Sequence, residues 1–482
     1  MLLSMSKTSF LEKRWPWSLA VVAILAWVAF MSLDLGGEPR DRRPLGSAED
    51  IASLRDRDDL NVLFIMIDTL RADRLGTYGH PRDTSPTLDR LADSGIRFDR
   101  HLAQSSWTKA SMASLWTALH PPRAGVTRFD HILPEAAESA VERLRDAGFR
   151  TIGLYRNGWV APTFGFEQGF DVYSRPALRK PNPSVRAENP TIGVVGTDED
   201  TIAAAIEFLR LNRRTEQPWF LYLHLMDVHE YLYDEESAIF GGRYIDKYDS
   251  SILWTDGTIA TLLSYLTEWE LDDDTLVVLL SDHGEAFRER GLEGHARAVY
   301  RESTEVPFIL SFPFRLEPGA VVTTRTQNVD VWPTLFDLLG LEVPADVDGR
   351  SRLPEILAAA RGEAIPSEST QAPETGFAHL DGTWGRRDQK PQDRTAVTEG
   401  ELRYLRTAPA NEGGEPVEEL FDAAIDPAEL ENLAEERPEV VSRLRAIADE
   451  RLADEPPWGE APRRDINELE LNQLRALGYQ IE

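Results

Sequence analysis

The chain has 482 residues, 42% of them hydrophobic and 28% charged. That is enough for one large α/β domain with an appendage, or for two to three ordinary domains, and it excludes a disordered or fibrous chain. The 52 basic and 82 acidic residues leave a formal charge of −30; this argues against a nucleic-acid partner, which needs a basic face, but leaves an anionic substrate open, because a metal and a few placed cations reverse the field locally.

Trp15 to Leu33 forms an uncharged run of 19 residues, preceded by Lys7, Lys13 and Arg14. This length and charge bias predict a transmembrane signal anchor over residues 1–35, with a cleaved signal peptide as the alternative. The remainder is then membrane-tethered and extracytoplasmic, in the periplasm or at the cell exterior. Residues 36–58 read as a polar linker, 59–355 as the core, and 356–482 as an irregular insertion followed by a C-terminal subdomain.

From Leu60 onward, short apolar runs alternate with helical patterns. Strands are predicted at Asn61–Ile67, Thr151–Tyr155, Trp219–Leu225, Thr275–Leu280 and Pro307–Phe312, each a continuous aliphatic run suited to burial on both faces of a sheet. Helices are predicted after Thr84-Ser85-Pro86 with Gly95 as the stop, over Glu138–Ala147 ending at Gly148, over Thr201–Leu211, and over Thr255–Leu266. The stretch from about 355 to 395 reads as loop, Leu402–Thr407 as the start of a second small sheet, and Pro438–Leu452 as helix. Alternating strand and helix imply an α/β fold, a mostly parallel sheet sandwiched by helices with a smaller C-terminal α+β subdomain.

Two of these strands run into carboxylates: Asn61–Ile67 into Asp68, and Thr275–Leu280 into Ser281 and Asp282-His283-Gly284-Glu285. Sites in open α/β sheets lie beyond the carboxyl ends of the strands, and a buried strand-tip aspartate is costly without a cation. Asp68, Asp282 and His283 are therefore candidate metal ligands. The mixed oxygen and nitrogen set favours zinc or manganese, with magnesium or calcium after them. With no cysteine in the chain, disulfides, thiolate metal sites and cysteine nucleophiles are excluded.

Further motifs point one way. They are Ile67-Asp68-Thr69-Leu70-Arg71-Ala72-Asp73, Ser281-Asp282-His283-Gly284-Glu285, Asp330-Val331-Trp332-Pro333-Thr334-Leu335, Asp348-Gly349-Arg350-Ser351, Glu419-Leu420-Phe421-Asp422 and Leu474-Arg475-Ala476-Leu477-Gly478-Tyr479. In this order they resemble bacterial members of the sulfatase family and the alkaline-phosphatase superfamily, over nearly everything from Asn61 onward.

The resemblance implies an alkaline-phosphatase-like core and one divalent metal ion. The family pattern of nucleophile, x, Pro, x, Arg or His, then Ala-Ser-Leu places Thr108 at the nucleophile position of Thr108-Lys109-Ala110-Ser111-Met112-Ala113-Ser114-Leu115. A true sulfatase carries a formylglycine made from Cys or Ser there, whereas phosphodiesterase and phosphoethanolamine- or phosphoglycerol-transferase relatives use Thr. Lys109–Leu119 has helical periodicity, so Thr108 would stand at a helix N-terminus, where free amides favour an anion. The resemblance makes Thr108 a metal-bound nucleophile, gives His229 a contact to the ester and His295 the leaving-group oxygen, and leaves Lys109 to contact the substrate anion. His224 reads as a core residue.

Ala110, Met112, Ala118 and Thr69 depart from the family pattern, and Met112 removes an expected cation. The implied activity is hydrolysis of phosphate esters, then sulfate esters, on a small molecule, lipid head group or glycan. The alternatives are a membrane-anchored phosphoethanolamine- or phosphoglycerol-type transferase, a sulfuric ester hydrolase and a catalytically degenerate binding protein.

Overall fold

The computed structural model describes residues 41–177, 179–180, 182–189, 196–212, 217–364, 375–381, 392–409, 411 and 413–466. Residues from Arg43 onward belong to one compact unit; of the other unit, residues 1–42, only Asp41 and Arg42 are described.

Ten strands are placed between residues 61 and 327: β1 Asn61–Ile67, β2 Ile96–Leu102, β3 Arg150–Tyr155, β4 Val172–Ser174, β5 Trp219–Leu225, β6 Thr275–Leu280, β7 Ala286–Phe287, β8 Glu293–Gly294, β9 Phe308–Ser311 and β10 Ala320–Gln327. Eight of them form one sheet in the order β10-β2-β9-β6-β1-β5-β3-β4, and β7 pairs with β8 as a separate hairpin. β9 runs antiparallel to both β6 and β2, whereas the other pairs of the large sheet are parallel. β1 lies between β5 and β6, in register Ile65 with Leu223 and Ile65 with Leu279.

The apolar runs predicted as strands are strands because both faces of the sheet are covered. Val62, Phe64 and Met66 of β1 join one buried cluster, with Trp116 and Trp332 among its members. Leu63, Ile65 and Ile67 join a second, with Tyr248 and Leu262. Alternate side chains therefore enter opposite layers, and β1 has no polar position after Asn61. The helices that matter for the site are α1 Thr108–Thr117 and α2 Asp198–Asn212, with the long α3 Tyr244–Glu268 behind α2.

The helix expected over Glu138–Ala147 is Ala140–Asp146, opened by a capping box between Ser139 and Glu142 and closed before Gly148 at φ +95°. The second sheet follows as β11 Thr375–Asp381, β12 Asp393–Glu399, β13 Leu402–Thr407 and β14 Val417–Asp422, antiparallel in that order. The helix α4 Pro438–Leu452 packs on it through Val441, Leu444 and Ala448.

Three expectations are corrected. First, the stretch from about 355 to 395 read as loop contains β11, whose residues from Gly376 to Asp381 are buried; its His379 N–H donates to Gln104 O (2.8 Å), four residues before Thr108. Second, the strand expected at Pro307–Phe312 exists as β9 but breaks the parallel run; an apolar run does not encode its direction. Third, no helix among the described residues is long and apolar enough to cross a membrane, and Trp15 to Leu33 lies outside them. The membrane anchor, and the extracytoplasmic localisation that rested on it, are accordingly withdrawn.

Candidate active site

The carboxyl ends of β1, β3, β5 and β6 meet at one point. The tip of β1 delivers Asp68 and that of β6 delivers Asp282 and His283; all three are fully buried. One ligand atom from each lies within 4.8 Å of those from the other two. The Asp68 N–H donates to Leu225 O at the end of β5 (3.0 Å), which sets the height of the carboxylate. Thr69, just beyond, takes a left-handed φ of +62°, and its N–H reaches Asp282 Oδ1 (3.3 Å). A non-glycine residue in this region is held there by its surroundings at some cost.

Thr108 opens α1 with Trp107 before it, which offers no side-chain cap. The Ser111 hydroxyl donates to Asp282 O (2.5 Å) and moors the helix to the β6 tip. Thr108 Oγ1 then lies 3.1 Å from His283 Nε2 and 3.3 Å from Asn157 Nδ2. The other ring nitrogen of His283, Nδ1, faces Gly284 O at 3.0 Å. A carbonyl only accepts, so Nδ1 carries the hydrogen and Nε2 presents a lone pair.

The donor chemistry fits a divalent cation. Asp68 Oδ1 and Asp282 Oδ2 have no hydrogen-bond donor although they are buried. They stand 3.9 and 3.4 Å from His283 Nε2. Two undonated carboxylate oxygens and one imidazole lone pair in a buried space are costly without a positive charge and natural with one. Burial and the neighbouring Asp68 raise the Asp282 carboxyl above its usual range. Burial acts the same way on Asp68, but the imidazoles of His229, His224 and His283 outweigh it and hold that carboxyl low.

His229 and His295 complete the cluster. His229 sits in the short helix Asp227–Glu230 after β5. Its ring centroid is 4.9 Å from that of His295, which in turn lies 4.8 Å from His283. His295 follows the β7–β8 hairpin, and the next residue, Ala296 at φ +52°, donates its N–H to Ser106 O (2.8 Å) beside α1. Burial pushes His229 down to about 4. Burial would lower His295 too, but Glu285, with Oε2 3.4 Å from Nδ1, outweighs it and raises the group. Glu285 also accepts from the Tyr231 hydroxyl (3.1 Å).

Lys109 is the exception, and the expectation of a substrate contact is corrected. Its side chain is buried away from the carboxylates, with Nζ donating to Phe129 O (2.8 Å) and lying 3.6 Å from the Phe164 ring centroid. Burial pushes the amine well below its ordinary range. One residue along a helix is a turn of about 100°, so the neighbour of a site residue points elsewhere. Lys109→Met is therefore expected to leave KM within about twofold of wild type; a tenfold rise in steady-state assays would return Lys109 to the site.

Several site residues escaped the sequence. His224 is buried, as expected, but its Nε2 lies 3.0 Å from Asp68 Oδ2. Asn157 Nδ2 reaches the same oxygen (2.6 Å). Asn157 ends the tip sequence Tyr155-Arg156-Asn157, so the strand-tip rule that found Asp68 would have found it had it been applied to β3. Its neighbour Arg156 is clamped by Asp198 (2.7 Å), Asp227 and Glu230 (2.7 Å). This ties the β3 tip to the start of α2 and to the short helix that carries His229. Met112, where the family pattern has a cation, is buried in the apolar core.

A family model described as Sulfatase matches residues 60–341. The steryl-sulfatase of Mus musculus is 26% identical over 64% of this chain; the match spans 66% of that protein, just under two thirds of its length. The N-acetylgalactosamine-6-O-sulfatase of Bacteroides thetaiotaomicron is 23% identical over 80% of this chain and 92% of its own. Among solved structures, the phosphonate monoester hydrolase of Agrobacterium radiobacter matches with a TM-score of 0.64 at 20% identity, covering 84% of this chain and 100% of that one, a likeness of fold.

Proposed function

The chain belongs to the sulfatase family, to which the match over residues 60–341 assigns it, and from that premise we propose that it is a hydrolase of anionic esters, phosphoric before sulfuric, with Thr108 as nucleophile. The observation that carries this reading is the position of Thr108 Oγ1, 3.1 Å from His283 Nε2 and so beside the three candidate ligands, two of whose carboxylate oxygens are undonated. Phosphorus is put first because a threonine hydroxyl cannot become the aldehyde that a sulfatase uses. A relative of similar fold named for phosphonate monoesters supports the choice.

Asp68, Asp282 and His283 would hold one divalent cation, which when bound supplies a Lewis acid that lowers the hydroxyl pKa and draws charge from the attacked centre. The chain's own groups do the rest. The start of α1 favours the ester's negative charge. The acidified Thr108 hydroxyl gives its proton to water, and Oγ1 forms the bond to phosphorus as the bond to the leaving oxygen breaks. His229, largely neutral through burial, orients the ester, and His295 gives its proton to the departing oxygen. Water then bonds to phosphorus as the bond to Thr108 Oγ1 breaks, its proton restores His295, and the Thr108 oxygen regains a proton from solvent. Measuring the rates of phosphate and sulfate aryl esters side by side tests the order of preference: faster sulfate turnover overturns it.

The role given to His295 predicts a dependence on the leaving group. His295→Asn is expected to slow alkyl esters by about 10²-fold and nitrophenyl esters only a few-fold, since a good leaving group needs no proton. Equal losses on both would remove the general-acid role. Because Glu285 raises His295, the acid form persists above the usual imidazole value. Glu285→Gln is therefore expected to move the alkaline limb of the rate profile to lower pH.

A further inference from the structure

Three polar side chains behind the reacting atoms are assigned no role by the family pattern, and their geometry is more specific than packing requires. Asp68 Oδ2 takes two donors, Asn157 Nδ2 at 2.6 Å and His224 Nε2 at 3.0 Å, while Oδ1 takes none. The hydrogens can be placed from partner chemistry. A carboxylate accepts, so His224 Nε2 carries a hydrogen; Nδ1 is then the acceptor for the Tyr222 hydroxyl at 2.6 Å. Asn157 Oδ1 accepts the Trp159 N–H (2.8 Å), which fixes the amide with Nδ2 toward Asp68 and Thr108.

We infer that Asn157 is a further catalytic residue and that the Tyr222–His224 pair are positioning residues. Together they commit one oxygen of Asp68 to the protein, turn the other to a cation, and aim the Thr108 hydroxyl. This rests on the reading of the site given above. An amide nitrogen donates and cannot take a proton. Its contact with Thr108 Oγ1 therefore fixes that oxygen from one side and holds it 3.1 Å from His283 Nε2, the atom that would take the cation.

Asp282 is oriented differently, by main-chain N–H groups of Thr69 and His283 on its Oδ1 (3.3 and 3.0 Å). Asp68 depends on side chains from β5, which flanks β1, and from β3, the next strand out: His224 is paired in register with Met66 of β1 and with Tyr155 of β3, and Asn157 lies just beyond the β3 tip. The orientation of Asp68 is thus the part of the site that substitution can release without touching a ligand atom.

The test is calorimetric titration of Mn²⁺ alone into the full chain, with kcat and KM measured on the same preparations. His224→Leu and Asn157→Ala are expected to weaken Mn²⁺ binding by about 10- to 100-fold. His224→Gln, whose amide reaches the same oxygen, should restore most of it. Tyr222→Phe keeps the buried ring, guards against simple misfolding, and should give a smaller loss in the same direction. Asn157→Ala should also lower kcat with KM little changed, because its contact with Thr108 is to the reacting oxygen.

Wild-type Mn²⁺ affinity in His224→Leu and Asn157→Ala, both melting normally, overturns the inference. A wild-type chain that takes up no Mn²⁺ overturns it together with the cation site. If the Mn²⁺ losses appear while Thr108→Ala keeps its turnover, the positioning stands and the proposed reaction falls.

Discussion

Thr108→Ala is expected to reduce ester turnover by about 10³-fold or more while the chain melts within a few degrees of wild type. The hydroxyl is fully buried and has two polar neighbours, His283 Nε2 and Asn157 Nδ2. Removing it leaves Asn157 still bonded to Asp68 and His283 still bonded to Gly284 O, so the structural cost is that of one hydrogen bond, about 1 kcal/mol. The chemical cost is the whole covalent route. Thr108→Ser keeps a hydroxyl at the same atom and should keep measurable turnover. Initial rates and thermal melts on the three proteins decide the matter. An alanine variant with more than about a tenth of wild-type activity would show that some other group attacks the ester.

Asp282→Asn has opposite effects on stability and activity. In the chain without its cation, burial and Asp68 raise the Asp282 carboxyl. The folded state therefore binds that proton more tightly than the unfolded state, whose carboxyl titrates near the ordinary value of about 4. Stability then falls as pH rises through and above that value. An asparagine amide at the position of Oδ2 carries no charge and can donate toward His283 Nε2, 3.4 Å away. With chelator at neutral pH, the variant is expected to be more stable than wild type by about 1–3 kcal/mol, with the difference shrinking toward pH 4. Saturating Mn²⁺ should stabilise wild type and not the variant, and turnover should drop by about 10²-fold, equivalent to about 3 kcal/mol of lost charge stabilisation. Denaturant melts with chelator and with metal measure both arms. A variant less stable than wild type in chelator refutes the account of the buried pair.

What could be read from the sequence depended on how many residues shared a signal. β1, β5 and β6 were legible because each is an almost wholly apolar run, and it is so because both faces are covered. Asp68 and Asp282 followed from their places at the ends of such runs. β2, whose sequence Ile-Arg-Phe-Asp-Arg-His-Leu mixes buried apolar with charged positions, was not legible, and neither was β4, which is three residues long. His224 gave no pattern of its own: a single polar residue in a buried strand has the same sequence whether it fills space or orients a carboxylate. Lys109 misled because adjacency in sequence is not adjacency around a helix. The motif resemblance placed Thr108 but was silent on the direction of β9, which depends on the path of the intervening chain.

The ends of β1 and β6 are neighbours in space but remote along the chain: 213 residues separate Thr69 from the Asp282 carboxylate it contacts. No local segment can bring the three candidate ligands together, because they converge only after the central strands have docked side by side. Affinity for the proposed ion would therefore be a property of the assembled sheet, and its binding would draw the whole folding equilibrium with it. A chain arrested before those strands meet has loose carboxylates and no catalyst, so the same long closure that slows folding also keeps reactive chemistry out of incomplete molecules.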